Sequence, residues 1–237
     1  MTTPEPTDRR LALLAALTLA GSAAAALGLA IALAPARSGP NCLSADCVEY
    51  PYTDVAAFAP QDYWWMYPAA VLPVAFYAFV VAARRSAPLR RRYLAELVAG
   101  LALAALVVLT LTYGIQLMAV QPSLLKGESE YLSLWSQYNP HGLFIATESL
   151  GYLLFCLALL GLAGVVPGVD GFARGLRWTS GGLGGLGVLA LPLLAGRLGT
   201  NLEYHYEVAS LLCAWLASIV LGILAAVLAF RGGDRAG

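Results

Sequence analysis

A chain that runs from Leu11 to Ala34 without a single charged side chain has few folds open to it. A segment of about 20 apolar residues matches the roughly 30 Å hydrocarbon core of a bilayer when helical. It exceeds the roughly 7–15 residues of a signal-peptide core, so Arg9, Arg10 and the block after them read as a retained first span. Five comparable blocks follow. The expected spans are about 11–34, 64–83, 93–120, 141–166, 180–199 and 207–230. Each must be helical, because lipid offers nothing to bond a free backbone N–H or C=O. The fold class is therefore an all-α polytopic membrane helix bundle of six transmembrane helices, forming one transmembrane domain over residues 1–237.

Composition agrees. Apolar residues make up 59% and charged residues 12%, against about 45–50% and about 25% in soluble domains. The net charge is zero, so no global field favours nucleic acid.

Orientation follows from the cations in the connections. One set of termini and loops carries Arg9, Arg10, Arg84, Arg85, Arg90, Arg91, Arg92, Arg174, Arg177, Arg231 and Arg235. The opposite set carries only Arg37, Lys126 and Arg197. The expectation is N-in and C-in. The outer connections are acidic (Asp46, Glu49, Asp54, Asp62, Glu128, Glu130, Glu203, Glu207), which reads first as solvation and second as cation attraction. Tyr63, Trp64, Trp65 and Tyr67 suit the headgroup layer at the outer end of span two.

Between spans three and four, Pro122 is expected to end span three. Tyr131, Leu132, Leu134, Trp135 and Tyr138 approximate an apolar stripe at helical spacing, led by Glu128 and Glu130, and predict a short interfacial helix before the fourth span. Asn139 followed by Pro140 reads as the cap and first turn of span four. In span five, Gly181 and Gly185 stand at a spacing that lets helices approach, either within the chain or in a homo-oligomer.

Ionisable groups inside spans are costly and mark function or pairing. Glu96 pairs most simply with Arg92 at i, i+4. Glu148 lies about 12 Å below the expected start of span four, counting about 1.5 Å per residue. Its candidate companions in a ligand-binding pocket are His141 and Tyr152 on its own helix, Tyr113 and Gln116 from span three, and Arg197 from span five. The competing reading is a structural Glu148–Arg197 pair that locks two spans together. His205 and Glu207 open span six. His141, His205, Glu148 and Glu207 form no dense ligand motif, so neither a metal nor a haem is assigned and no cofactor is expected. Cys42 and Cys47 predict a disulfide on an oxidising side, whereas Cys156 and Cys213 read as inert apolar residues. Lys126, the one lysine, lies in a loop, and no phosphate-loop, dinucleotide or GxSxG motif occurs.

Two stretches, YPYTDVAAFAPQDYWWMYPA and QPSLLKGESEYLSLWSQYNPHGLFIATESLGYL, resemble a family of bacterial multi-pass membrane proteins with no known activity. The resemblance implies a bacterial cytoplasmic membrane and transfers no functional residue. The favoured role is binding or transport of a small molecule or lipid through an outer-facing polar pocket. The alternatives are an accessory or assembly subunit of a larger membrane complex and an enzyme acting on an outer-leaflet substrate.

Overall fold

The computed structural model describes residues 6–39, 42, 47–168 and 170–231. Seven α-helices follow in order: α1 Pro6–Leu33, α2 Met66–Arg85, α3 Arg92–Ile115, α4 Gln121–Leu125, α5 Leu143–Val165, α6 Gly171–Leu198 and α7 Glu203–Arg231. Six helical stretches are each long and apolar enough to cross a membrane: Arg10–Leu33, Gln61–Arg85, Leu89–Leu125, Leu143–Val165, Gly171–Leu198 and Tyr204–Phe230.

Pro122 does not end the third stretch. Residues Gln116–Val120 form a π-turn, in which the Gln121 N–H reaches the carbonyl of Gln116, and α4 continues to Leu125. A proline has no N–H to give and its ring collides with the carbonyl four residues back. Widening the preceding turn moves that carbonyl aside, so the helix survives. α6 begins nine residues earlier than the sequence suggested, because Asp170 caps it by accepting from the Ala173 N–H at 2.8 Å. The carbonyls at the C-terminal end of α5 are met by cations. Arg91 donates to Gly164 O at 2.7 Å, and Arg177 donates through Nη2 to Val166 O at 2.9 Å.

Neighbours in the bundle close a ring. α1 packs on α2, α2 on α3, α3 on α5, α5 on α7 and α7 on α1. α6 packs on α5 and α7 from outside that ring. Accordingly half of the apolar window of α5 is buried, against 11% of that of α6. Close approach requires glycine at two places. A Cβ on Gly184 would sit 2.6 Å from Leu160 N of α5, and one on Gly222 of α7 would strike the Ala16 carbonyl of α1. Small-residue contacts of this kind let backbones meet where no hydrophobic drive exists between spans. The contact glycines between α5 and α6 are therefore Gly181, whose added Cβ would meet Ala163 Cβ at 3.1 Å, Gly184 and Gly187, while Gly185 makes only ordinary contact.

The connections before α2, α5 and α7 gather at one end of the bundle. Here the expected interfacial helix is absent, and the chain before α5 runs through successive turns. The reason is non-local. The carbonyls of Trp135, Gln137 and Tyr138 accept from Gln116 Nε2, Tyr204 OH and Ser38 Oγ, and Ser136 Oγ donates to Tyr52 O. A helix would engage those carbonyls internally. Asn139 likewise builds a turn rather than a cap. Its Oδ1 accepts from the His141 N–H and its Nδ2 donates to Ser133 O, so α5 starts only at Leu143.

Asp62 ties three of these segments together. One oxygen, Oδ2, accepts from the Ala36 N–H at 2.8 Å and from the Tyr138 hydroxyl at 2.9 Å. Burial, and then the Asp62 charge beside it, holds the Tyr138 phenol well above the usual tyrosine range. The disulfide between Cys42 and Cys47 is formed in the loop before α2. Of the aromatics expected at the headgroup layer, Trp64 and Tyr67 are exposed, while Tyr63 and Trp65 turn into the core.

Candidate functional site

Helical spacing sets the site. On α5, Glu148 and Tyr152 lie one turn apart on one face, both fully buried. On α7, Glu207, Leu211 and Trp215 repeat at every fourth residue and are buried together. Tyr113 enters from α3. These helices bring the side chains into one polar line inside the ring.

The line has a direction. The Trp215 indole donates to Tyr152 OH at 2.7 Å. The hydroxyls of Tyr152 and Tyr113 are 2.8 Å apart, and Tyr113 donates to Glu148 Oε1 at 2.5 Å. A phenol has one proton to give. Since Tyr113 gives its own to Glu148, Tyr152 must give its proton to Tyr113. Every donor thus points toward the carboxyl, an arrangement in which successive bonds polarise one another.

Glu148 ends this line without a cation. Among the described residues its Oε2 has no hydrogen-bond donor, and the carboxyl that interacts with it across the helix interface is that of Glu207. A second acid beside a buried carboxyl disfavours charge on both, and a cation between them relieves it. The one ion pair among the described residues is elsewhere, between Arg84 and Glu96 at 2.7 Å. Glu96 therefore pairs across the α2–α3 turn, and not with Arg92 on its own helix.

Glu207 connects the line to the surface. It lines a cleft of about 570 Å³ between the segment after α1, the start of α5 and the start of α7. Trp65, Phe144, Ile145 and Val208 give the cleft its apolar walls, and Tyr138, Ala36 and Ser38 form part of its rim. Arg37 and His205 also line it, both exposed. Rings surround the acids closely. Trp65 stands edge-on to Tyr113 with centroids 5.8 Å apart, and it lies 5.9 Å from Trp215.

Among the residues expected from sequence, Glu148, Tyr113 and Tyr152 come together. Gln116 lies near this end but is engaged with the carbonyl of Trp135 at 2.7 Å. His141 is exposed and lines a separate groove with Pro140, Leu202 and Tyr206. Arg197 is exposed in the last turn of α6, and makes no ion pair with Glu148. The reason is the position of α6 outside the ring, which carries its end away from the α5–α7 interface. His141 and His205 border different cavities, and among the described residues no three His, Cys, Asp or Glu side chains gather. The sequence reading gave Glu207 as a helix start, an outer acid and one of four conceivable metal ligands, gave Trp65 only as an aromatic at the headgroup layer, and missed Trp215. The available signal was the four-residue repeat of Glu207, Leu211 and Trp215, which places the acid on the inward face.

Comparison with family models, with curated proteins and with solved structures found no match to the chain.

Proposed function

We propose that this protein is a multi-pass protein of a bacterial cytoplasmic membrane, N-in and C-in, that binds or transports an amphipathic small molecule or lipid. The molecule enters through the cleft above Glu207, which opens on the outer face. The orientation rests on the arginines: those at 84, 85, 90, 91, 92, 174 and 177 all fall at the end of the bundle opposite the cleft.

One observation carries the reading, namely a largely apolar cleft with an acid at its floor that has no cationic partner among the described residues. Ligand sites are commonly concave, apolar and about 300–1,000 Å³, with a few placed polar groups. A purely structural acid inside a bundle would more economically be a leucine. Native mass spectrometry of the purified chain should find a bound small molecule or lipid. Ala209→Trp, which fills the cleft wall, should lose it while keeping the elution volume and melting temperature of the parent. Equal occupancy in both proteins, or no bound species in either, refutes the proposal.

A second reading, as a subunit of a larger complex, is favoured by α6. Its outer side exposes Trp178, Leu186, Leu189 and Leu193, and a smaller share of its apolar stretch is buried than in any ring helix. Cysteine crosslinking from Leu189 in membranes tests it: a discrete partner band supports docking, and lipid-only adducts refute it.

A further inference from the structure

The cleft has a chemical preference written into its floor and walls. At the floor stands Glu207, in contact with Glu148. Glu207 is the acid that reaches the cleft, and Glu148 behind it accepts from the Tyr113 hydroxyl, itself backed by Tyr152 and Trp215. No Lys, Arg or His among the described residues is ion-paired with either acid. The one guanidinium on the cleft, that of Arg37, is exposed, so its charge is solvated where the cleft meets water.

The walls add an independent observation. Trp65, Phe144 and Tyr138 line the cavity, and aromatic rings attract desolvated cations. The indole N–H of Trp65 has no partner, although the residue is only 6% exposed. That N–H is itself sealed from solvent, so it marks the wall as imperfectly satisfied and is no bond offered to the occupant.

Resting on the reading that this cleft is a binding site, we propose that its ligand is an organic ammonium. Its positive nitrogen sits against Glu207, and its apolar or aromatic body lies along Trp65, Phe144 and Ile145. A metal ion fits less well. Phenol and indole rings are poor ligands for hard cations, and the acids supply too few oxygens for the six or more that calcium takes.

The test uses benzoylcholine, which carries an ammonium, an ester and a ring. Its control is 3,3-dimethylbutyl benzoate, the same shape with carbon in place of nitrogen. Binding to the full chain in nanodiscs is followed by calorimetry. Benzoylcholine should bind at least about tenfold more tightly than the control, a difference of roughly 1.4 kcal/mol. Glu207→Gln should bring the two within about twofold of each other. Glu148→Gln should keep the preference, because Glu207 remains as the charge. If Glu207→Gln does not fold, loss of both ligands in Ala209→Trp, with the preference intact in the parent, supports the proposal equally. Equal affinity for ester and control in the parent, with both lost in Ala209→Trp, overturns the ammonium assignment and leaves the cleft as a site. No binding of either compound, or binding unchanged by Ala209→Trp, overturns the cleft reading as well.

Discussion

Asp62 offers the sharpest quantitative test of the architecture. It is 4% exposed, yet one of its oxygens holds both the Ala36 N–H and the Tyr138 hydroxyl. Asp62→Ala leaves both donors buried without an acceptor. Each stranded donor costs about 1–3 kcal/mol, so the pair predicts a loss of about 3–4 kcal/mol. Asp62→Asn keeps an oxygen with two lone pairs at the same position and loses only the charge assistance, about 1 kcal/mol in total. Tyr138→Phe removes one donor and leaves the carboxylate still bonded to Ala36, which predicts about 1–2 kcal/mol.

Melting in detergent, followed by a thiol-independent fluorescence scan, reads the ranking. For a chain of this length each 1 kcal/mol is worth about 2–4 °C. The expected order of melting temperatures is parent, Asn, Phe, Ala. Combining Asp62→Ala with Tyr138→Phe should cost less than the sum of the two, since both delete the same bond. Equal melting temperatures for Asp62→Ala and Asp62→Asn would refute the argument, because the oxygen would then be irrelevant. So would strict additivity in the double variant.

Three further outcomes follow. Single cysteines at Ser86 and Gly237 should resist impermeant thiol reagents in intact cells, and one at Glu128 should react; labelling of residue 237 from outside would reverse the proposed orientation. Glu148→Gln should leave stability unchanged or raise it, because the amide keeps an acceptor for Tyr113 and gives Glu207 a donor, whereas Arg197→Ala should change it by less than about 0.5 kcal/mol. A melting temperature sharply lowered by either, with coupling between them, would restore the pairing of Glu148 with Arg197. Alkaline pH should destabilise the loop end: the unfolded Tyr138 phenol loses its proton near its ordinary value of about 10 while the folded one retains it, so stability falls as pH rises past that point. Tyr138→Phe should flatten that part of the profile, and an unchanged slope would remove Tyr138 as its source.

The spans were legible because a bilayer imposes length and apolarity on every crossing, and Leu11–Ala34 can satisfy nothing else. Their order of packing was not. Alanine, leucine and glycine faces look alike on every helix, and only the close fits at Gly184 and Gly222 reveal which backbones meet. The stretch from Tyr131 to Tyr138 misled for a physical reason. Its spacing imitates an amphipathic helix, but its carbonyls are claimed by Gln116, Ser38 and Tyr204, residues far away in the chain. The site was half legible. An isolated acid in a span invites a search for an opposite charge, and Arg197 was the nearest in depth. What Glu148 meets instead is a second acid, a pairing that makes sense only where a proton or an incoming cation completes it.

On the proposed binding reading, stability and recognition separate in one direction only, because the clamp residues also shape the cleft while the acids below serve no clamp. The Asp62 clamp holds Ala36 and Tyr138, and those same two residues line the cleft. Below them, Glu207 and Glu148 make no bond that the clamp needs. Loosening the clamp should therefore lower both melting temperature and ligand affinity, since the rim loses its shape. Removing the charge at Glu207 should lower affinity alone. Farther from the cleft, Phe76 and Phe155 stack at 3.7 Å. A bundle that needed polar groups only for cohesion would have no reason to collect them beneath one opening. The layering of clamp, cleft and paired acids at a single end fits the proposed entry site: a fixed rim, an apolar passage and an acid at the bottom.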